Sequence, residues 1–509
     1  MNRLSVIIPA KNEADSLRLV LDEVVKLTPD EIIIILNGCT DSSRHSLNQY
    51  PCKIIEYPLP LGNDTGRALG AYHSIGDIIL FLDGDIPISA LELAPFVESI
   101  KQGHDIALNN LIWSSCLPIR PHTTTVIKQA TNHLLKQSQL SVNSILAIPH
   151  ALSRKALNMI GWWNLVDPVL TQAIAAENGL SIHAPISIDV IHRNKVRNIH
   201  LNIEMNSPYP ITTNRIIGDH LTAIHYLLQQ RGFRGGFSEG NRNRAVLKTI
   251  TPQKLTVKGR RSAVIPVGEE AATIEGVIKS VKNAGITEII VVANGADETT
   301  IKKARLTGAN VIVYNKALGH NVGRAIGALF CTGETILFVD GDFIVPSEDL
   351  VPFITAVENG TDIALNNLES LLDRFYPIDP ISAVKYFLNI SLNMPTLLNN
   401  SLTAVPFAIK KQVIESIGYD SLIIPPLALA KAILMGYEPR AVHYVNVVEP
   451  NRRRSEHEIE KGRIPAFDRI FGDHMEAFQF LLSKKDERGG FSDGNRDRSE
   501  ISRLLIGGE

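Results

Sequence analysis

The sequence predicts an α/β protein of two tandem domains, each a mostly parallel sheet flanked by helices. Two observations predict this. Strand-length apolar runs alternate with helix-length amphipathic segments. The chain also repeats itself: "SVIIPAKNEADSL" answers to "SAVIPVGEEAATI", "LGNDTGRALGA" to "LGHNVGRAIGA", and "DIALNNL" occurs twice unchanged. Asn37 and Asn294, Arg67 and Arg324, and Asp83 and Asp340 all stand 257 positions apart. Near the ends of the halves, "GDH" and "RGGFSEGNRNR" recur as "GDH" and "RGGFSDGNRDR" at an offset of 254. A repeat this long is a duplicated domain, not a solenoid unit. The expected domains are 1–247 and 262–509, joined by a basic linker, 248–261, "KTITPQKLTVKGRR".

Each element follows from its residues. Leu4 to Pro9 reads as a strand. Glu13 to Leu27 reads as a helix, with Leu17, Val20, Leu21, Val24 and Val25 on one face. Glu31 to Leu36 is a continuous β-branched and aliphatic run, the pattern of a strand covered on both faces. Lys53 to Tyr57 is a third strand, Arg67 to Ser74 a helix, Asp77 to Leu82 a fourth strand, and Ser89 to Gln102 a further helix. In such sheets ligands bind beyond the carboxyl ends of the strands. "PAKNE", "NGCTD" and "DGD" all fall at such ends.

Composition narrows the function classes. The 509 residues carry a formal net charge of −2, which gives no global electrostatic case for nucleic acid. The N-terminus turns polar too soon for a signal peptide. The apolar runs fall far short of the ~20 residues that span a bilayer, so no transmembrane segment is expected and peripheral membrane contact stays open. Cys39, Cys52, Cys116 and Cys331 show no CxxC spacing. Reduced thiols in a cytoplasmic protein are the expectation.

The chemistry is expected at the doubled acidic tips, "ILFLDGDI" and "ILFVDGDF". On an extended segment, residues i and i+2 point the same way. Asp83 and Asp85, and likewise Asp340 and Asp342, can then face one hard cation, Mg²⁺ or Mn²⁺, with Gly84 letting a ligand approach the backbone. The competing reading is an acidic turn.

The ordered set "VIIPAKNE", "ILNGCTD", "LGNDTGRALGA", "GDIILFLDGD" resembles the nucleotide-binding half of family-2-type glycosyltransferases with the GT-A (nucleotide-diphospho-sugar transferase, Rossmann-like) fold. The resemblance covers most of the first ~110 residues of each half and implies a nucleotide-diphosphate sugar donor, with its diphosphate bridged by a metal on the DxD motif. Carried over, Pro9, Asn12 and Glu13 border the base, Asn37 and Asp41 sit near base or ribose, and Gly62 and Arg67 lie in the loop beside the ribose or diphosphate, with a surface Arg at a helix start as the competing reading of Arg67. Asp83 and Gly84 join them, and Glu270, Asn294, Gly319 and Arg324 repeat the donor set in the second half. "SIDVIHRNKVRNI" resembles a segment of glucosyl-3-phosphoglycerate synthases and implies His192 as a further metal ligand. Asp167 in "NLVDPVLTQAI" reads either as the base that takes the acceptor proton or as a helix N-cap before Pro168. Arg234, Arg242 and Arg244 read as a phosphate-gripping lid, an exposed loop or a contact between halves.

The second half departs where it matters. Asn12 becomes Glu269, Asp167 becomes Ile424, His192 becomes Glu449, and an Arg run, 452–454, is new. Ile cannot take a proton, so the first half is the expected catalyst and the second a degenerate or differently specific copy. The expected activity is a metal-dependent, hexosyltransferase-like glycosyl transfer to an unknown acceptor, with the oligomeric state open. The rivals are a non-catalytic nucleotide-sugar-binding scaffold and a sugar-1-phosphate nucleotidyltransferase. The latter normally begins with a Gly-rich, Arg-containing loop that "PAKNEADS" lacks.

Overall fold

The computed structural model describes residues 2–195, 197, 201–203, 207–251, 260–449 and 464–507. The linker is therefore described only at its two ends, and the Arg run 452–454 lies outside the described residues.

The chain forms two compact units, 1–227 with 485–509, and 228–484. Each holds a seven-stranded sheet. In the first unit the strands are β1 (Leu4–Ala10), β2 (Glu31–Asn37), β3 (Lys53–Tyr57), β4 (Ile78–Phe81), β5 (Ile106–Asn109), β6 (His150–Ser153) and β7 (Ile182–Ile186). In the second they are β8 (Arg261–Val267), β9 (Glu288–Asn294), β10 (Asn310–Tyr314), β11 (Thr335–Phe338), β12 (Ile363–Asn366), β13 (Phe407–Lys410) and β14 (Pro439–His443). The orders are β3-β2-β1-β4-β6-β5-β7 and β10-β9-β8-β11-β13-β12-β14. Only β6 and β13 run antiparallel to their neighbours. This is the expected α/β class with two mostly parallel sheets.

The expected strands form within one residue of their predicted ends. Val6, Ile8, Ile34 and Leu80 enter a core on one face of the first sheet, and Ile7, Ile79, Phe81 and Leu108 enter a second core on the other. Burial on both faces explains why β2 reads as an unbroken apolar run. Helix Ala14–Val24 buries Leu17, Val20, Leu21 and Val24, the face that the 3.6-residue period marks. Helix Ala90–Lys101 starts from a capping box of Ser89 and Glu92.

The sheet order places the site. β2 and β3 lie to one side of β1, and β4 lies to the other, so the strand order reverses between β1 and β4. A crevice at the carboxyl ends of such neighbours is where open α/β sheets bind ligands. β8 and β11 meet in the same way in the second unit.

The compact units differ from the sequence halves at their tails. The Arg-rich end of the second repeat, with Ile501 in the core, belongs to the first unit. The corresponding segment of the first repeat, with Val246 and Leu247 against the core, belongs to the second.

Candidate active site

Pro9 lies among the last residues of β1, and beyond the strand's carboxyl end Asn12 takes φ 58°, its Oδ1 accepting the Thr40 N–H at 2.7 Å. Glu13 is 7% exposed. Its carboxylate accepts from Lys195 at 2.6 Å and from Arg197 at 2.7 Å. Beyond β4, Asp83 receives Arg67 Nη2 at 2.9 Å. Asp85, two residues on, receives Arg197 at 2.6 Å. Burial raises the pKa of the Asp85 carboxyl, and the Asp83 charge adds to the effect against the opposing pull of Arg197. The Asp83 charge disfavours ionisation of Asp85, and a cation held between the two would oppose that effect.

Arg67 rises from helix Thr65–His73 and is shared between two acids, Asp64 at 2.7 Å through Nη1 and Asp83 through Nη2. Burial acts on Asp64 to raise its pKa, but Arg67, Arg496 and Arg215 outweigh it and hold the carboxyl at about 2. His150 lies stacked on Phe81 with ring centroids 4.9 Å apart. Burial and the Arg67 charge bring it down to about 3, so it is a neutral imidazole at ordinary pH.

Several expected ligands hold the protein's own backbone. Asn37 donates to the Gly62 carbonyl at 2.9 Å and accepts from the Leu61 N–H at 2.5 Å, clamping the donor loop to the end of β2. Asn294 makes the same pair with Gly319 and Leu318. Asp41 accepts the N–H groups of Ser43 and Ala14, which ties its carboxylate to the start of helix Ala14–Val24. Gly62 has φ +80°, and a Cβ there would meet the Asn495 carbonyl at 2.5 Å and Arg496 Cα at 2.8 Å. Its need for glycine comes from the tail that crosses it. Gly84 sits where a Cβ would lie 3.1 Å from Ala10 Cβ, so its small size serves packing on β1 as the acid tip turns.

His192 is not gathered with the acidic pair. It lies in a short helical turn, 74% exposed, with Nδ1 2.6 Å from Asp189 and its ring stacked near Trp113. Among the described residues, the one group of three ligand-type side chains within reach of a single ion is Asp167, Asp219 and Asp493. Arg488, Arg496 and Arg498 interleave these acids, so that cluster is an ion-pair core.

Asp167 stands at the N-cap position that one of its two sequence readings gives it, before helix Pro168–Glu177, but makes no side-chain cap hydrogen bond. Its carboxylate instead receives Arg498 at both oxygens, at 2.6 and 2.8 Å. A carboxylate clasped by a guanidinium is poorly placed to accept a substrate proton. Of the three readings of Arg234, Arg242 and Arg244, the contact between the sequence halves is the one the side chains make. Arg242 pairs with both oxygens of Asp473 at 2.6 and 2.7 Å, Arg234 with Asp473 and Glu476, and Arg244 with Glu239 and Glu476. Those guanidinium groups hold the tail in place, and their carboxylate partners leave little to grip phosphate.

In the second unit, Arg324 reaches Asp340 with Nη2 at 2.8 and 3.1 Å from its two oxygens. Asp342 follows it on the same tip, partly buried. Glu270, the counterpart of Glu13, accepts the Gly268 N–H. Glu449, at the position of His192, is 66% exposed and pairs with Arg374 and Asn446.

Sequence reasoning missed Asp64, Asp219, Lys195, Arg197 and His150. The doubled "GDH" flagged Asp219 only as a repeat marker, because its partner Arg496 lies 277 residues away.

The family model described as Glycosyl transferase family 2 matches residues 5–155 and 262–408, more than half of the chain. A search of curated proteins gives no match. Among solved structures, glucosyl-3-phosphoglycerate synthase from Mycobacterium tuberculosis bound to uridine diphosphate is 18% identical, with a TM-score of 0.34, over 44% of this chain and 80% of that one. The same enzyme with Mn²⁺ and UDP-glucose is 16% identical, with a TM-score of 0.33, over 50% and 84%. Likeness at this level says nothing about this chain's own substrates. Among the described residues, no helix is long and apolar enough to cross a membrane.

Proposed function

The chain belongs to glycosyl transferase family 2 and is a transferase enzyme, and on that premise we propose that its first unit moves a sugar from a nucleoside-diphosphate sugar to an acceptor hydroxyl with the help of a divalent cation. The observation that carries this reading is the meeting of Asp83, Asp85, Arg67 and Glu13 at the β1/β4 reversal.

The donor set fits a small hard cation. Mg²⁺ and Mn²⁺ are commonly held by one or two carboxylates, with phosphate and water oxygens completing the shell. Asp83 and Asp85 supply the carboxylates. His192, exposed and bonded to Asp189, stays outside this set. The cation, when bound, would stabilise the departing diphosphate, where charge develops. Arg67, fixed on one side by Asp64, would turn its other arm from Asp83 to a diphosphate oxygen. Asn37 would keep the donor loop in register through its two backbone bonds. Glu13 would anchor Lys195 and Arg197 beside the acid tip. Asp167 is assigned to holding the tail rather than to proton transfer. The acceptor and the stereochemical course stay open.

Incubation with Mn²⁺ and a panel of nucleotide sugars should release nucleoside diphosphate. Silence with every donor, in protein shown to be folded, refutes the reading.

A further inference from the structure

We infer that Arg496, supplied by the last segment of the chain, is a positioning residue for the donor site of the first unit, acting through Asp64 on the Arg67–Asp83 pair. This rests on the assignment of Asp83 and Arg67 to the donor site.

Four charged side chains form a continuous chain. Arg496 Nη2 reaches Asp64 Oδ2 at 2.8 Å, Asp64 Oδ1 receives Arg67 Nη1 at 2.7 Å, and Arg67 Nη2 reaches Asp83 at 2.9 Å. Arg496 is itself immobilised. Its side chain is fully buried, it grips both oxygens of Asp219 at 2.7 and 2.8 Å, and its Nε meets the Asn63 carbonyl at 3.3 Å. Its backbone lies over Gly62, on the loop that precedes Arg67. Such a buried guanidinium fixes where the Asp64 charge sits, and Asp64 fixes one arm of Arg67.

The second unit contains the same construction with one link removed. Arg242 grips Asp473 with the same two-pronged geometry, and its Nε meets the His320 carbonyl at 3.1 Å. The position of Asp64 is there taken by Asn321, with φ 63° against 64°. Without that carboxylate, Arg324 lays one nitrogen against both oxygens of Asp340. The difference is one of competition. An arginine restrained by Asp64 meets one Asp83 oxygen and leaves the other for a cation, whereas Arg324 competes at both oxygens of Asp340.

The matching φ values make Asp64→Asn a variant the turn accommodates. In the full chain, binding of Mn²⁺ alone, and then of UDP, GDP, ADP and CDP with Mn²⁺, is measured by calorimetry for Asp64→Asn, Arg496→Lys, the double variant and Arg67→Ala. Asp64→Asn and Arg496→Lys should each weaken Mn²⁺ binding by roughly three- to thirty-fold. The double variant should be no weaker than the worse single one, because both act along one path. Unchanged Mn²⁺ and nucleotide affinity in folded Asp64→Asn overturns the inference, as does a loss of thermal stability in Arg496→Lys with affinities intact. If Arg67→Ala abolishes nucleotide binding while Asp64→Asn does not alter it, the donor-site reading stands and the relay falls. If Arg67→Ala also binds as wild type does, the donor-site reading falls and takes the relay with it.

Discussion

The two acidic tips differ less in themselves than in what stands behind them. Asp83 and Asp340 follow equivalent strands and each meets an arginine from the helix that precedes its strand. Behind the first lie Asp64, neutral His150 and an Arg tail locked onto Asp167 and Asp219. Behind the second lie Asn321, Phe407 stacked on Phe338, and Ile424. The anchoring charge is displaced as well. Arg498 finds Asp167 on one unit, while its counterpart Arg244 finds Glu476, on a different helix, in the other. Duplication preserved the tail's grip by moving the acid that answers it, which makes that acid a structural partner first.

The largest expected effect separates the two tips. Asp83→Ala should lower transfer by about a thousandfold, the scale of a lost metal contact of several kcal/mol. Asp340→Ala should stay within about threefold of wild type. The readout is nucleoside diphosphate release, and the reverse result moves catalysis to the second unit.

Asp167→Ala should destabilise the first unit by about 2–3 kcal/mol, because it strips a partner from the half-buried Arg498. Adding Thr222→Glu to Asp167→Ile copies the second unit's arrangement and should recover most of that loss in thermal unfolding. Failure of this rescue, with loss of transfer alone, would return Asp167 to a catalytic role.

Asp64 sets an acid-stability difference. Its folded pKa, about 2, lies below the ordinary 3.8, so its contribution is present above about pH 4 and is lost as pH falls toward 2. The stability gap between wild type and Asp64→Asn should be about 2 kcal/mol at neutral pH and close as pH falls through that window. For Asp85, whose pKa is raised, cation affinity should drop about tenfold per pH unit once its carboxyl protonates, and Asp85→Asn should flatten that slope. The smallest effect belongs to His150→Phe, which copies Phe407 and should change stability by less than about 1.5 kcal/mol.

The sequence by itself determined the fold class, the duplication and the place of the acid tips. Those signals are local: β-branched runs, helical spacing and polar residues that follow strand ends. It also singled out Asp83, Arg67 and Glu13, because each lies in a motif contiguous with its strand or loop. The tertiary structure decided the rest. Asn37 and Gly62 serve the loop and tail that they touch, Asp41 holds the start of helix Ala14–Val24, and His192 turns to Asp189 rather than to the acid pair. Ion pairs such as Arg496 with Asp64 join residues more than 400 positions apart, and no periodicity or motif spacing encodes them. They exist because the folded chain brings a buried guanidinium to carboxylates that would be costly to bury alone.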